Sequence, residues 1–234
     1  MALKSDLHDG CQKIFREVWN SVDKTVVPEP SDIPLGNHAG HFSEMTVLYA
    51  DLNGSTAMVD EHSWEFSAEV YKTYLHSAAK IIKAQGGFIT AYDGDRIMAV
   101  FIGDSKNTNA VKAALMINFA VTTIINPELQ KIYSSKNFTV RHTVGVDTSV
   151  IHVARIGVKN DNDLVWVGKA ANHAAKLTAI SNEGFPVRIS KAIYDNMHSG
   201  CHRDGNGNSV WNERLWTEMG SQTIYMTNAT YQID

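Results

Sequence analysis

Residues Met45 to Asp51 (MTVLYAD) form a predominantly apolar, β-rich run that stops abruptly on a carboxylate. The run lacks the polar alternation of a half-exposed strand. It therefore predicts a strand covered on both faces, and with it a sheet that has helices packed over it. Asn53-Gly54-Ser55-Thr56 follows, a turn-and-cap sequence that predicts a helix start directly behind the acid.

The rest of the chain fits that frame. Trp64, Ala68, Tyr71, Leu75, Ala78 and Ile82 recur in alternating steps of 4 and 3, which predicts a helix running to about Gln85 and closed by Gly86-Gly87. Two apolar runs, 88–92 and 97–102, flank Asp93-Gly94-Asp95-Arg96, and an Asp-Gly pair in that setting predicts an antiparallel hairpin. Ala110, Ala114, Ile117, Val121 and Ile124 predict a further helix limited by Pro127. Strands are expected at 138–146, 150–153, 164–167, 186–189 and 224–227, and a small-residue helix at 170–180. At the N-terminus, Leu7, Cys11, Ile14, Phe15, Val18, Trp19 and Val22 predict an amphipathic helix, and Pro28, Pro30 and Pro34 with Gly36 and Gly40 an extended linker. The expected organisation is a helix and linker over 1–40, then one α+β domain over 41–234, ferredoxin-like, with helices packed on a mostly antiparallel sheet.

Composition narrows the function classes. With 234 residues, 44% of them hydrophobic, one large core is available. Lys and Arg number 21 against 25 Asp and Glu, so no basic field exists to hold a nucleic-acid polymer. Two cysteines, Cys11 and Cys201, are too few for a disulfide framework, which fits a reducing cytoplasm. The opening MALKSDLHDG lacks a signal peptide's apolar centre, and no apolar run approaches the roughly 20 residues of a membrane span, so a cytoplasmic protein without a membrane partner is expected.

Asp51 at a strand end and Asp95 in a hairpin turn can converge from neighbouring strands, and two such carboxylates suit Mg²⁺ or Mn²⁺, which take oxygen ligands alongside substrate phosphates. Gly54, Ser55 and Thr56 add a helix N-terminus behind the first acid, where backbone N–H groups favour phosphate. Each feature alone also reads blandly, Asp51 as a helix cap and Asp93-Gly94-Asp95 as an ordinary turn. In sequence order, however, YADLNGST and GGFITAYDGDRIMAVF resemble the two metal-binding motifs of the class III nucleotidyl cyclases, and VWVGKAANHAAKL resembles the block that completes their site from the partner subunit. The resemblance spans about residues 44–196. It implies a homodimer with shared sites, two metal ions held by Asp51, Asp95 and the backbone carbonyl of Leu52, a nucleoside triphosphate substrate, Asn172 orienting the ribose, and Lys176 at a position where the family usually has Arg.

The same resemblance exposes departures. The positions that read adenine in adenylyl cyclases fall on Ala91 and Val165, neither able to hydrogen-bond a purine edge. Tyr49 precedes Asp51 by two, so on a strand its ring leaves the same face ~7 Å away and can fill the space of a purine. Arg96 follows the second acid, where most class III enzymes have a small residue. Tyr49 and Arg96 in this context resemble the pyrimidine cyclases of bacterial Pycsar antiphage defence. That resemblance implies conversion of UTP to 3′,5′-cyclic UMP and pyrophosphate, read by a downstream effector. CTP as substrate, or an inactive nucleotide-binding homologue, is the alternative. A palm-type two-metal enzyme would have no place for the Asn172 block.

Other motifs fall away. Asp204, Asn206 and Asn208 alternate like a calcium loop, but Ser209 and Leu215 stand where Gly and Glu are needed, so a polar loop is expected. His198, Cys201 and His202 read as a surface segment, and Arg141 and Arg155 as weaker phosphate-binding candidates.

Overall fold

The computed structural model describes residues 2–181 and 184–233. The chain divides into two units, Met1–Glu44 with Ser149–Lys169, and Met45–Thr148 with Ala170–Asp234. In the smaller unit, helix α1 (Leu3–Arg16) is followed by strand β1 (Asn20–Asp23), which pairs in parallel with the start of β2 (His38–Leu52). The end of β5 (His142–Val158) forms an antiparallel hairpin with β6 (Asp161–Val167). The expected helix over 7–22 is therefore cut short at Arg16. Asn37 is buried and its Nδ2 donates to the Ile14 and Glu17 carbonyls at 2.9 and 2.7 Å, and Trp19–Val22 go to the extended segment instead. No α1 residue is buried.

The larger unit carries the core. Its strand order is β3-β4-β2-β5-β7-β9-β8, with β3 (Phe88–Asp93), β4 (Arg96–Phe101), β7 (Val187–Ser190), β8 (Asn212–Trp216) and β9 (Gln222–Thr227). β2 with β4, β3 with β4, β7 with β9 and β8 with β9 pair antiparallel, and β5 with β7 in parallel. Helices α2 (Ser55–Glu61), α3 (Trp64–Ala84), α4 (Lys106–Phe119), α5 (Asn126–Ile132), α6 (Lys169–Thr178) and α7 (Lys191–Asn196) complete it. This is the expected α+β fold.

Local chemistry explains these boundaries. Leu48, Ala50, Ile97, Ala99, Phe101 and the α3 residues Phe66, Val70, Tyr74, Ala78 and Ile82 share one buried cluster, with Tyr71 and Leu75 partly buried against it. The helix stands where the spacing predicted, but its core face is rotated from the predicted stripe, because Trp64 and Ala68 are exposed. Gly86 ends α3 with φ +75°, and a Cβ at Gly87 would stand 2.6 Å from the Phe101 ring, so the glycine pair is required on both counts. Pro127, by contrast, does not stop its helix. A π segment, Ala120–Ile125, precedes it, with Asn126 N–H bonded to Val121 O, and Pro127 falls in the first turn of α5, where no N–H is needed. The combined helix Lys106–Ile132 is long and apolar enough to cross a membrane by length and composition, beyond what the apolar runs suggested, and 56% of that apolar stretch is buried inside the protein. The expected strands at 138–146 and 150–153 are one continuous β5 beginning at His142, and β1, α7 and β8 were not anticipated.

Candidate active site

Strand β2 delivers Tyr49 and Asp51 to the sheet end, where Asp51 pairs across to Arg96 and Tyr49 to Met98 of β4. The β3–β4 hairpin closes on Asp93 opposite Arg96, so Gly94 and Asp95 are its two loop residues, and Gly94 takes φ +60° as such a tight turn demands. Both acids thus lie at one end of neighbouring strands. Asp51 Oδ2 is 3.3 Å from Arg96 Nη2, and its side chain is 16% exposed against 38% for the arginine. Burial raises the Asp51 pKa; Arg96 pulls it back, and the nearby Asp95 charge raises it again. Burial is the largest of these effects, and the Arg96 and Asp95 charges oppose one another. Arg96 Nε is buried and makes no hydrogen bond among the described residues.

Tyr49 is half-buried. Burial raises its pKa, with Arg96 acting in the opposite direction and Asp93 in the same one, so the phenol stands within the field of the hairpin. Behind it Leu52 is buried, and Asn53 anchors the turn through Asn53 N–H to Arg141 O at 2.9 Å and a side-chain exchange with Thr143 at 2.9 and 3.0 Å. Gly54 has φ +76° and opens α2, with Ser55 half-buried and Thr56 exposed.

Asn172 and Lys176 are exposed on α6. Lys176 Nζ lies 3.5 Å from Met219 Sδ, at the edge of a cleft shared with Ile180, Trp216 and Glu218. At about 100° per residue they share a face, whereas Thr178 points nearly opposite to Lys176. Thr178 is buried, and its Oγ1 lies 3.5 Å from Asp51 Oδ2. One helix therefore turns a hydroxyl to its own chain's acid and presents Asn172 and Lys176 away from it.

Several contributors were not found from sequence. Tyr74, fully buried on α3, donates its hydroxyl to Asp51 O at 3.4 Å; burial raises its pKa well above 10, and the Asp51 and Asp95 charges add to that. His173 on α6 makes a buried 3.3 Å pair with Asp147 of β5 and stands edge-on to Trp216. Arg188 on β7 is fully buried and donates to carbonyls in the last turn of α6 and just beyond it, Leu177 O and Ile180 O. Only Thr178 had a usable signal, its position on the face opposite Asn172 and Lys176.

Of the remaining candidates, Ala91 is exposed on β3 and Val165 half-buried on β6. Arg155 is engaged by Asn162 Oδ1 at 2.6 Å and Ile33 O, and Arg141 is exposed. Asp204 accepts the N–H groups of Asn206 and Asn208, which hold its pKa down, so that loop satisfies itself. Among the described residues no group of three or more His, Cys, Asp or Glu side chains is arranged to hold a metal ion, His198, Cys201 and His202 included.

Residues 38–212 match the adenylate and guanylate cyclase catalytic domain family. A uridylate cyclase of Burkholderia cepacia is 48% identical over 97% of this chain and 98% of its own. One of Xanthomonas perforans is 45% identical over the full length of both chains. Among solved structures, the guanylyl cyclase Cya2 superposes with a TM-score of 0.66 at 18% identity, covering 82% of this chain and 94% of that one. The adenylyl cyclase CyaB from P. aeruginosa superposes with 0.64 at 20%, covering 83% and 97%.

Proposed function

Because the chain belongs to the adenylate and guanylate cyclase catalytic domain family, we propose that it is a uridylate cyclase, converting UTP to 3′,5′-cyclic UMP and pyrophosphate. The observation that carries this reading is the meeting of Asp51 and Asp95 at one sheet end, with Tyr49 on the strand face of the first acid. The uridylate cyclases of high identity supply the base. We assign residues 41–234 to the catalytic domain and 1–40 to an appendage, in keeping with a family match that begins at residue 38.

Asp51, Asp95 and the Leu52 carbonyl fit a pair of divalent cations, Mg²⁺ or Mn²⁺. The donors are hard oxygens, the acids repel one another, and a short protein ligand set is normal for magnesium, which keeps water and phosphate as its other ligands. When bound, such ions acidify the ribose 3′-hydroxyl and offset charge on the triphosphate. The chain's own groups do the rest. Gly54, Ser55 and Thr56 offer backbone N–H groups toward phosphate, and Arg96 has an unused buried Nε for a substrate oxygen. The tyrosine ring narrows the base pocket to a pyrimidine. The 3′-oxygen attacks the α-phosphorus, the bond to the β-phosphate bridge breaks, pyrophosphate leaves, and the hydroxyl proton passes to solvent.

Asn172 and Lys176 face away from their own Asp51, which supports a homodimer in which each copy completes the other's site: Asn172 orients the ribose and Lys176 balances charge developing on the α-phosphoryl group. The resemblance to Pycsar cyclases supports a cytoplasmic second messenger for an antiphage effector. Incubation of the purified protein with all four ribonucleoside triphosphates and Mn²⁺, with products identified by mass, tests the reading. Cyclic UMP as main product is expected, and cyclic AMP or GMP as main product would overturn the pyrimidine assignment.

A further inference from the structure

The seat of α6 is built with unusual care. Beneath its middle, Gly145 of β5 leaves no room for a side chain: a Cβ there would lie 2.2 Å from Ala174 O and 2.8 Å from Leu177 Cβ. Its polar anchor is the buried Asp147–His173 pair. At its far end stands Arg188, 0% exposed, on a strand between the buried Val187 and Ile189. The guanidinium donates to Leu177 O at 2.8 Å, Ile180 O at 2.5 Å, Ser181 O at 3.2 Å and, through Nε, Phe185 O at 3.2 Å, with Thr178 O at 3.5 Å.

The carbonyls of a helix's last turn have no partner within the helix, and a cation is favoured at that end. A glycine or an exposed lysine meets that need in many helices at little cost. Burying a charge is expensive, and only a planar fork of five donors reaches a fan of carbonyls like this one. What the arrangement holds in place is the turn whose Thr178 touches Asp51 and whose Lys176 points away from it.

We propose that Arg188 is a positioning residue for cyclisation, fixing the last turn of α6 so that Thr178 stays against Asp51 while Asn172 and Lys176 keep their outward facing. The inference rests on the roles given above to Asp51, Asn172 and Lys176. Arg188 itself touches no reacting atom; it acts through the helix.

The test compares Arg188→Met and Arg188→Lys with Ile117→Ala, a core truncation on α4, each assayed with UTP and Mn²⁺ at a temperature where all are folded. Because misplacement of catalytic groups by about 1 Å costs roughly 100-fold, kcat of Arg188→Met should fall at least about tenfold while KM for UTP moves less than about threefold. Arg188→Lys, which keeps the charge but loses the fork, should lie between. A second readout needs no turnover: backbone amides of 174–178 should exchange with deuterium at least about tenfold faster in Arg188→Met than in wild type, and unchanged in Ile117→Ala. Equal kcat in Arg188→Met and Ile117→Ala, or unaltered exchange over α6, would overturn the inference while leaving the site intact. A wild-type protein that forms no cyclic nucleotide would instead remove the reading on which it rests. Should Arg188→Met not fold, Arg188→Lys and Arg188→Gln carry the same comparison.

Discussion

Gly145→Ala is the sharpest perturbation the structure offers, because it adds one methyl group where the obstacle is backbone. The new Cβ would stand 2.2 Å from Ala174 O, and ordinary contact begins at 3.4 Å, so α6 must retreat by about 1.2 Å or β5 must buckle. Overpacking of this kind costs about 1 to 3 kcal/mol, which shortens the urea midpoint without changing the slope. Against a stability of about 5 kcal/mol or more, the variant keeps more than roughly nine molecules in ten folded. Unfolding therefore accounts for almost none of any lost turnover. A retreat of that size carries Asn172 and Lys176 with it, and kcat should fall by roughly 100-fold. KM for UTP should change little if the phosphate and base contacts come from the β2 and hairpin side. The assay is pyrophosphate release over a range of UTP, paired with urea denaturation of the same preparation. Wild-type kcat in a variant measurably destabilised would refute the claim that α6 must sit where it does for the chemistry.

Mixing Asp95→Ala with Lys176→Ala copies, each inactive alone, should restore about a quarter of wild-type activity, since half of randomly paired dimers are mixed and each mixed dimer keeps one intact site of two; inactive mixtures with demonstrated exchange of copies would refute the shared site. Tyr49→Ala should lower kcat/KM for UTP and raise that for ATP or GTP only slightly, because discrimination by volume is worth about 1 to 3 kcal/mol and Ala91 and Val165 still offer no purine contact; an unchanged ratio across the four triphosphates would return Tyr49 to the core. Burial lowers the His142 pKa to about 4. The unfolded chain therefore takes up a proton below about pH 6.5 that the native state refuses, and this imidazole costs up to about 3 kcal/mol of stability as pH falls from 6.5 to 4. His142→Phe should flatten that acid limb in urea midpoints measured against pH, and an identical limb in both proteins would count against a neutral buried His142.

What could be read from the chain beforehand follows a physical division. The strand into Asp51 and the hairpin around Asp95 are local objects, set by apolar runs and one Asp-Gly turn, and both stand where their neighbours in sequence placed them. Helix α3 was legible for the same reason, but its core face was not, since Phe66, Val70 and Tyr74 turn inward where Trp64 and Ala68 were expected to. Arg188 was not, because a charge inside V-R-I argues against burial until its carbonyl partners, some 10 residues away, come into view. The Asp147–His173 pair likewise needs the tertiary seat of α6. At the N-terminus, periodicity overran the helix because it cannot sense Asn37 capturing the Ile14 and Glu17 carbonyls from 20 or more residues downstream.

The π segment before Pro127 has a consequence for how this chain can change length. A wide turn holds a residue that an α-helix would have no room for, and Thr122, Thr123 and Ile124, which occupy it, are exposed. The buried face of α4, ahead of it, keeps its register whether or not the surplus residue is there. Only the α5 segment beyond would swing, by about 100° for one residue removed. The helix thus contains a slack link, so that single insertions and deletions, ruinous in β2 and in the hairpin that presents Asp95, fall here on the roughly two turns of α5 and on the bonds of Asn126 to Val140.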